Sequence, residues 1–155
     1  MIVYRLSKQK YAGSLSGKGA ALSNTNRWNS KGIEMVYTSG NIATAMTEIL
    51  VHLSPNLIPT NYLALTISIP KTSKGLTIPV NKLPKGWSAV PPNIETQQIG
   101  DKFLEDGEKL WCKVPSAVVP GEWNVLLNPF HAEFKRIEIT EKRQFSFDHR
   151  LFQPV

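Results

Sequence analysis

Residues 62–69 alternate Leu63, Leu65, Ile67 and Ile69 with smaller side chains, the period of a strand that turns one face to a core. A strand this apolar needs partners to form a stable sheet, so the rest of the chain has to supply them. Other runs with strand character are present at 2–6, 33–38, near 76–80, 110–119, 122–127, 134–139 and 145–147. Between them lies a helix predicted over 42–53, with Ile42, Met46, Ile49, Leu50 and Leu53 making one apolar stripe. The polar cluster Thr38-Ser39-Gly40-Asn41 caps its start, and Ser54-Pro55-Asn56 ends it. A second short helix is predicted over 94–106, with Gly107 as its stop. About seven short strands with two helices, and no internal repeat, predict an α+β fold: one compact domain over 1–155 with mixed β-sheet.

Three stretches depart from regular structure. Residues 12–32 are rich in glycine, serine and asparagine, which permit tight turns and close approach of backbone N–H groups to a ligand. This is not a phosphate-binding loop of the Gly-x4-Gly-Lys-Ser/Thr type, since Gly13 and Gly17 are wrongly spaced and no hydroxyl follows Lys18. Loops of this length are functional or disordered, and Trp28 within it argues for packing. Residues 70–92 are read as an irregular surface excursion, closed by Pro91-Pro92. Pro115 and Pro120 interrupt the 110–119 strand, which points to a sheet edge or a bulge there.

Composition narrows the ligand more than the fold. The net charge of +6 suits an anionic ligand or partner, but the lysines and arginines are scattered. A basic module on nucleic acid is therefore an alternative rather than the first reading. Cys112 is the single cysteine, so neither an internal disulfide nor a cysteine metal site is expected, in keeping with a reducing cytoplasm. The apolar run at residues 1–6 is too short for a signal peptide, and no run approaches a membrane span.

The residues that carry chemistry are sparse. Arg27 sits in Asn26-Arg27-Trp28-Asn29-Ser30, where its planar fork suits a pyrophosphate; the bland alternative is a surface charge. Tyr37 ends a short apolar run and suits ring stacking or a ribose contact, or else a place in the core. Glu48 lies at the edge of the helix stripe beyond Ala45, with His52 beside it at i+4. Ser116, between two prolines, adds a hydroxyl. Arg5 is read as a solvated charge, because arginine is seldom fully buried. Glu48 has no acidic neighbour within five residues, whereas glycosidases acting on poor leaving groups generally need an acid as well as a base or nucleophile. A substrate whose leaving group already carries positive charge does not need that acid. NAD+ is one, since nicotinamide leaves neutral from a pyridinium. A serine hydrolase using His52, His131 or His149 lacks a Gly-x-Ser-x-Gly elbow, and three histidines without ligand spacing make no metal site.

Taken in order, Tyr4-Arg5-Leu6, Gly17-Lys18-Gly19-Ala20, Asn26-Arg27-Trp28-Asn29, Tyr37-Thr38-Ser39, Glu48 to Leu53, Val114-Pro115-Ser116-Ala117 and Asn128-Pro129-x-His131 resemble the RES domain, as does the stretch from Phe145 to Leu151. The resemblance spans essentially the whole chain. It implies an ADP-ribosyltransferase-like fold and a bacterial, cytoplasmic toxin that depletes NAD+. It also implies an Xre-type helix-turn-helix antitoxin as partner, through which any DNA contact would run. NAD+ is then the substrate, and no cofactor or metal is expected. By position, Glu48 would be the catalytic carboxylate, acting with Arg27 and Tyr37. Arg27, Trp28, Tyr37 and Ser116 would bind NAD+, with His52 and Asn128 behind them. Two departures stand out. Thr25-Asn26 replace the Gly-Gly that often precedes Arg-Trp in the family, and Met46 stands where arginine-directed ADP-ribosyltransferases carry a second acid. The second favours NAD+ breakdown, by water or phosphate, over ADP-ribosylation of a protein.

Overall fold

The computed structural model of the chain describes residues 1–54 and 57–152. Its strands are β1 (Ile2–Lys8), β2 (Val36–Ser39), β3 (Tyr62–Ser68), β4 (Gly75–Thr77), β5 (Trp111–Pro115), β6 (Trp123–Leu127) and β7 (Glu138–Phe145). Its α-helices are α1 (Lys18–Leu22), α2 (Ile42–Leu50) and α3 (Ile94–Asp106). The strands form one mixed sheet in the order β4-β5-β6-β2-β1-β3-β7, antiparallel throughout except for the β4/β5 pair.

The sheet is two half-sheets held at one point. β1 pairs with β3 along its whole length, but it meets β2 only at Tyr4↔Ser39. Beyond that pair the two strands part. On one face the join is covered by a continuous core of Val3, Val36, Leu65, Ile67, Val125 and Leu127. On the other face each half has its own cover. The stripe of α2 packs with Leu6, Tyr62, Ala64 and Phe147 over β1 and β3. Trp28, Met35 and Phe103 pack with Cys112, Val114 and Leu126 over β5 and β6. A gap between these two covers, above the parted strands, follows from the arrangement.

Several sequence expectations change. The loop over 12–32 carries the short helix α1, and the run at 33–38 becomes β2 only from Val36. Asn41 caps α2 as expected, its Oδ1 accepting from the Thr44 N–H at 2.8 Å, but the helix closes at Leu50 rather than 53. Two residues of the expected stop, 55 and 56, lie outside the described residues. β4 covers Gly75–Thr77 instead of 76–80. α3 fits its predicted span, and Gly107 ends it with φ 63°. The expected strands at 134–139 and 145–147 are replaced by a 3-10 turn at Phe134–Arg136 and the single strand β7. β7 is an edge strand exposed along 140–144, so Glu141, Lys142, Arg143 and Gln144 show no alternation to read. β5 has neighbours on both sides, yet Pro115 is tolerated because β4 registers only as far as Lys113. Among the described residues no helix is long and apolar enough to cross a membrane.

Candidate functional site

A cleft of about 770 Å³ opens where β1 and β2 part. That is within the range of small-molecule sites, about 300–1,000 Å³. Tyr4, Arg5 and Leu6 line it from β1, Tyr37, Thr38 and Ser39 from β2, and Ala45, Glu48 and Ile49 from α2. Thr25 to Trp28 form a further wall, and Ser88, Val90, Pro91 and Pro92 reach it from the 70–92 segment. That segment is thus part of the site and not a surface excursion.

Glu48 is held on one side only. Its Oε1 accepts from Ser116 Oγ at 2.8 Å and from Asn124 Nδ2 at 2.6 Å. Oε2 has no partner among the described residues, and the side chain lines the cleft. Ser116 is itself fixed, since its Oγ accepts from the N–H groups of Val118 and Val119 at 3.2 and 2.9 Å. It acts on the cleft through Glu48 and does not line it. Glu48 is the only carboxylate among the described cleft-lining residues.

Arg27 faces the same space. Its Nη1 donates to the carbonyls of Trp87 and Ala89 at 2.6 and 3.0 Å, which ties the 70–92 segment to the cleft wall. Among the described residues, Nε–H and the Nη2 N–H pair have no partner and can serve an anion. Burial lowers the pKa of Arg27, and the nearby Glu48 and Tyr37 work in the opposite direction. Arg5 is the site residue the sequence reading misplaced. It is partly buried and lines the cleft rather than being solvated, because β1 loses its β2 neighbour beyond the Tyr4–Ser39 pair. Desolvation lowers its pKa, and its one hydrogen bond is a long 3.5 Å contact to the Ser16 carbonyl. A desolvated cation without a carboxylate partner is a strong attractor for an anion.

Tyr37 lines the cleft, and its hydroxyl is bonded within the protein. The hydroxyl donates to Asn29 Oδ1 at 2.6 Å and accepts from the Trp28 N–H at 3.2 Å. Burial pushes the phenol pKa well above its ordinary value, so it stays protonated near neutrality. The hydroxyl's proton and one lone pair are thus committed inside the protein, which leaves the ring as the main surface of Tyr37 for a ligand. Tyr37→Phe is expected to strand the Trp28 N–H and Asn29 Oδ1, costing about 1–3 kcal/mol of stability, measurable by denaturant unfolding.

The loop bearing Arg27 is clamped from below by α3. Asp101 accepts from Ser30 N at 2.9 Å and from Ser30 Oγ at 2.6 Å, and Gln97 Nε2 donates to the Asn26 carbonyl at 2.8 Å. Trp28 is buried and stands beside Trp87 with ring centroids 6.2 Å apart. His52 lies past the end of α2, exposed at the cleft mouth. Asn128 is not at the cleft. It is buried at the far end of β6, where its Oδ1 accepts from the Phe130 N–H and shapes a turn. The sequence singles out neither Asn124 nor Asp101, and carries Ser39 and Asn29 only within longer motifs; for Asn124 the available signal is a polar residue inside the apolar run Trp123–Leu127.

The RES domain family matches residues 2–148. A protein of Photorhabdus laumondii called Toxin Res is 37% identical over 153 residues, covering 97% of each chain. A Sphingobium protein called Prs ADP-ribosylating toxin is 33% identical over 145 residues, covering 92% of this chain and 89% of its own. Among solved structures, the MbcT-MbcA toxin–antitoxin complex of M. tuberculosis contains a chain that superposes with a TM-score of 0.72 at 15% identity, covering 94% of this chain and 84% of that one. At that identity the likeness concerns the fold.

Proposed function

The chain belongs to the RES domain family, and from that premise we propose that this toxin acts by cleaving the nicotinamide–ribose bond of NAD+. The observation that carries the reading is a single carboxylate, anchored through one oxygen and open to the cleft through the other, in a cleft that also holds Arg5 and Arg27. The arginines supply the charge to hold a pyrophosphate. Glu48 Oε2 would then stand against the ribose, where positive charge develops as nicotinamide departs. A preorganised carboxylate is most effective there because it does not have to reorganise during the reaction. Nicotinamide leaves neutral, so no general acid is required. The ring of Tyr37 offers a stacking surface, and Ser116 keeps the carboxylate in place.

With both arginines on the phosphates, Arg5→Gln is expected to raise KM for NAD+ about 10-fold or more and to leave kcat within about threefold, read from initial rates. Arg27→Gln should do the same and also loosen the 87–89 backbone.

The acceptor has two readings. Water or phosphate would make the protein an NAD+-degrading enzyme, supported by Glu48 being the one carboxylate among the described cleft-lining residues. A protein acceptor is supported by the relationship to the Sphingobium ADP-ribosylating toxin. Expression in cells, followed by mass spectrometry of free ADP-ribose products and of total protein, separates them. Depletion of NAD+ with free products supports the first, and ADP-ribose on a defined target protein overturns it in favour of the second. As a toxin the protein needs restraint. The partner expected is an Xre-type antitoxin that occludes the Arg27/Glu48 cleft.

A further inference from the structure

We propose that Asn124 is the positioning residue that fixes the orientation of the Glu48 carboxylate, so that its unanchored oxygen faces the substrate, with Ser39 supporting the Asn124 amide. This inference rests on the NAD+-cleaving role of Glu48. The strand register brings the parts together. Ser39 and Asn124 are directly paired across β2 and β6, so their side chains share the face turned toward α2. Both are buried. Ser39 Oγ donates to Asn124 Oδ1 at 2.7 Å, and Asn124 Nδ2 donates to Glu48 Oε1 at 2.6 Å. With the amide oxygen toward β2 the Ser39 hydroxyl donates to it, and the NH2 is left to donate to Glu48. A flipped amide would set an oxygen against a carboxylate.

The bond also crosses the weak point of the fold. α2 is seated by its apolar stripe on the β1/β3 half-sheet, whereas Asn124 and Ser116 belong to the half-sheet containing β5 and β6. Glu48 is therefore tied across the join, where β1 and β2 share a single pair. Ser116 alone would leave the carboxylate free to pivot about one hydrogen bond. With two donors converging on Oε1, rotation is blocked and Oε2 keeps its direction into the cleft.

The titratable and charged groups sharing the cleft with Glu48 are Tyr4 and Arg5 on β1, Arg27 in the loop, Tyr37 on β2 and His52 beyond α2. None is a second carboxylate. The test is the pH profile of kcat for NAD+ cleavage in wild type, Asn124→Leu, Asn124→Asp and Ser39→Ala, with thermal melts for folding. Asn124→Leu should lower kcat about 10- to 100-fold while KM for NAD+ stays within about threefold. Asn124→Asp places a carboxylate against Glu48, and like charges resist joint ionisation, so the acid limb should move up by about one pH unit or more. Ser39→Ala, which only frees the amide to flip, should fall between wild type and Asn124→Leu. A purely structural role would lower the folded fraction and scale the profile down without moving its limb. The proposal is overturned if folded Asn124→Leu keeps kcat within twofold, or if the limb of Asn124→Asp does not move, while Glu48→Gln is inactive. If Glu48→Gln is itself active, it is the underlying NAD+-cleaving role that fails.

Discussion

Exchanging Glu48 for glutamine is expected to leave the protein folded and to lower nicotinamide release from NAD+ by about a hundredfold to a thousandfold. Folding should survive because the contacts at Oε1 come from donors only, Ser116 Oγ and Asn124 Nδ2. The amide oxygen of glutamine can accept both. Its NH2 then turns to the cleft in place of Oε2, and the negative charge that would face the developing oxocarbenium ion is gone. The expected loss is therefore in kcat, with KM little changed, since the arginines that hold the phosphates are untouched. A folded Glu48→Gln protein with wild-type kcat would remove Glu48 from the chemistry.

Gly100→Ala carries the largest expected effect on stability, and its direction runs against helix propensity. Alanine inside a helix ordinarily stabilises by about 0.5–1 kcal/mol relative to glycine. At Gly100 a Cβ would stand 1.7 Å from the carbonyl oxygen of Trp28 and 2.8 Å from its carbonyl carbon. These are backbone atoms that cannot swing aside, so α3 must lift off the 26–30 loop. We expect a loss of about 3 kcal/mol or more, which for a chain of this size lowers Tm by about 6–12 °C. The same displacement disturbs the Asp101–Ser30 and Gln97–Asn26 bonds and moves Arg27, so KM for NAD+ should rise as stability falls. Calorimetry and initial rates on one preparation check both. A Tm at or above wild type would mean that α3 does not clamp the loop.

Legibility in the sequence followed burial. β3, α3 and the start of α2 were readable because alternation, periodicity and the asparagine caps are local signals. β7 was not, because an edge strand exposed along much of its length has no apolar face to mark it. The parting of β1 from β2 is a matter of sheet register, which no local pattern encodes. With it went the placement of Arg5, whose side chain enters the cleft only because its strand loses a neighbour. Arg27, Tyr37 and Glu48 were legible through residue type and order, and they do line one cleft. What sequence could not supply was how each is held. The hydroxyl of Tyr37 is committed to Asn29 and Trp28, Ser116 works through Glu48, and Asn124 and Asp101 arrive from 76 and 71 residues away from Glu48 and Ser30. Asn128, singled out by its motif, serves a turn instead. Long-range polar pairs of this kind have no spacing to recognise.

The most direct test of NAD+ cleavage is to mix purified protein with excess NAD+ and follow free nicotinamide over time. The predicted result is nicotinamide release through many turnovers, abolished in Glu48→Gln and weakened at low NAD+ in Arg5→Gln. NAD+ that stays intact beside folded wild-type protein, with and without phosphate and cell extract as sources of acceptor, would contradict it.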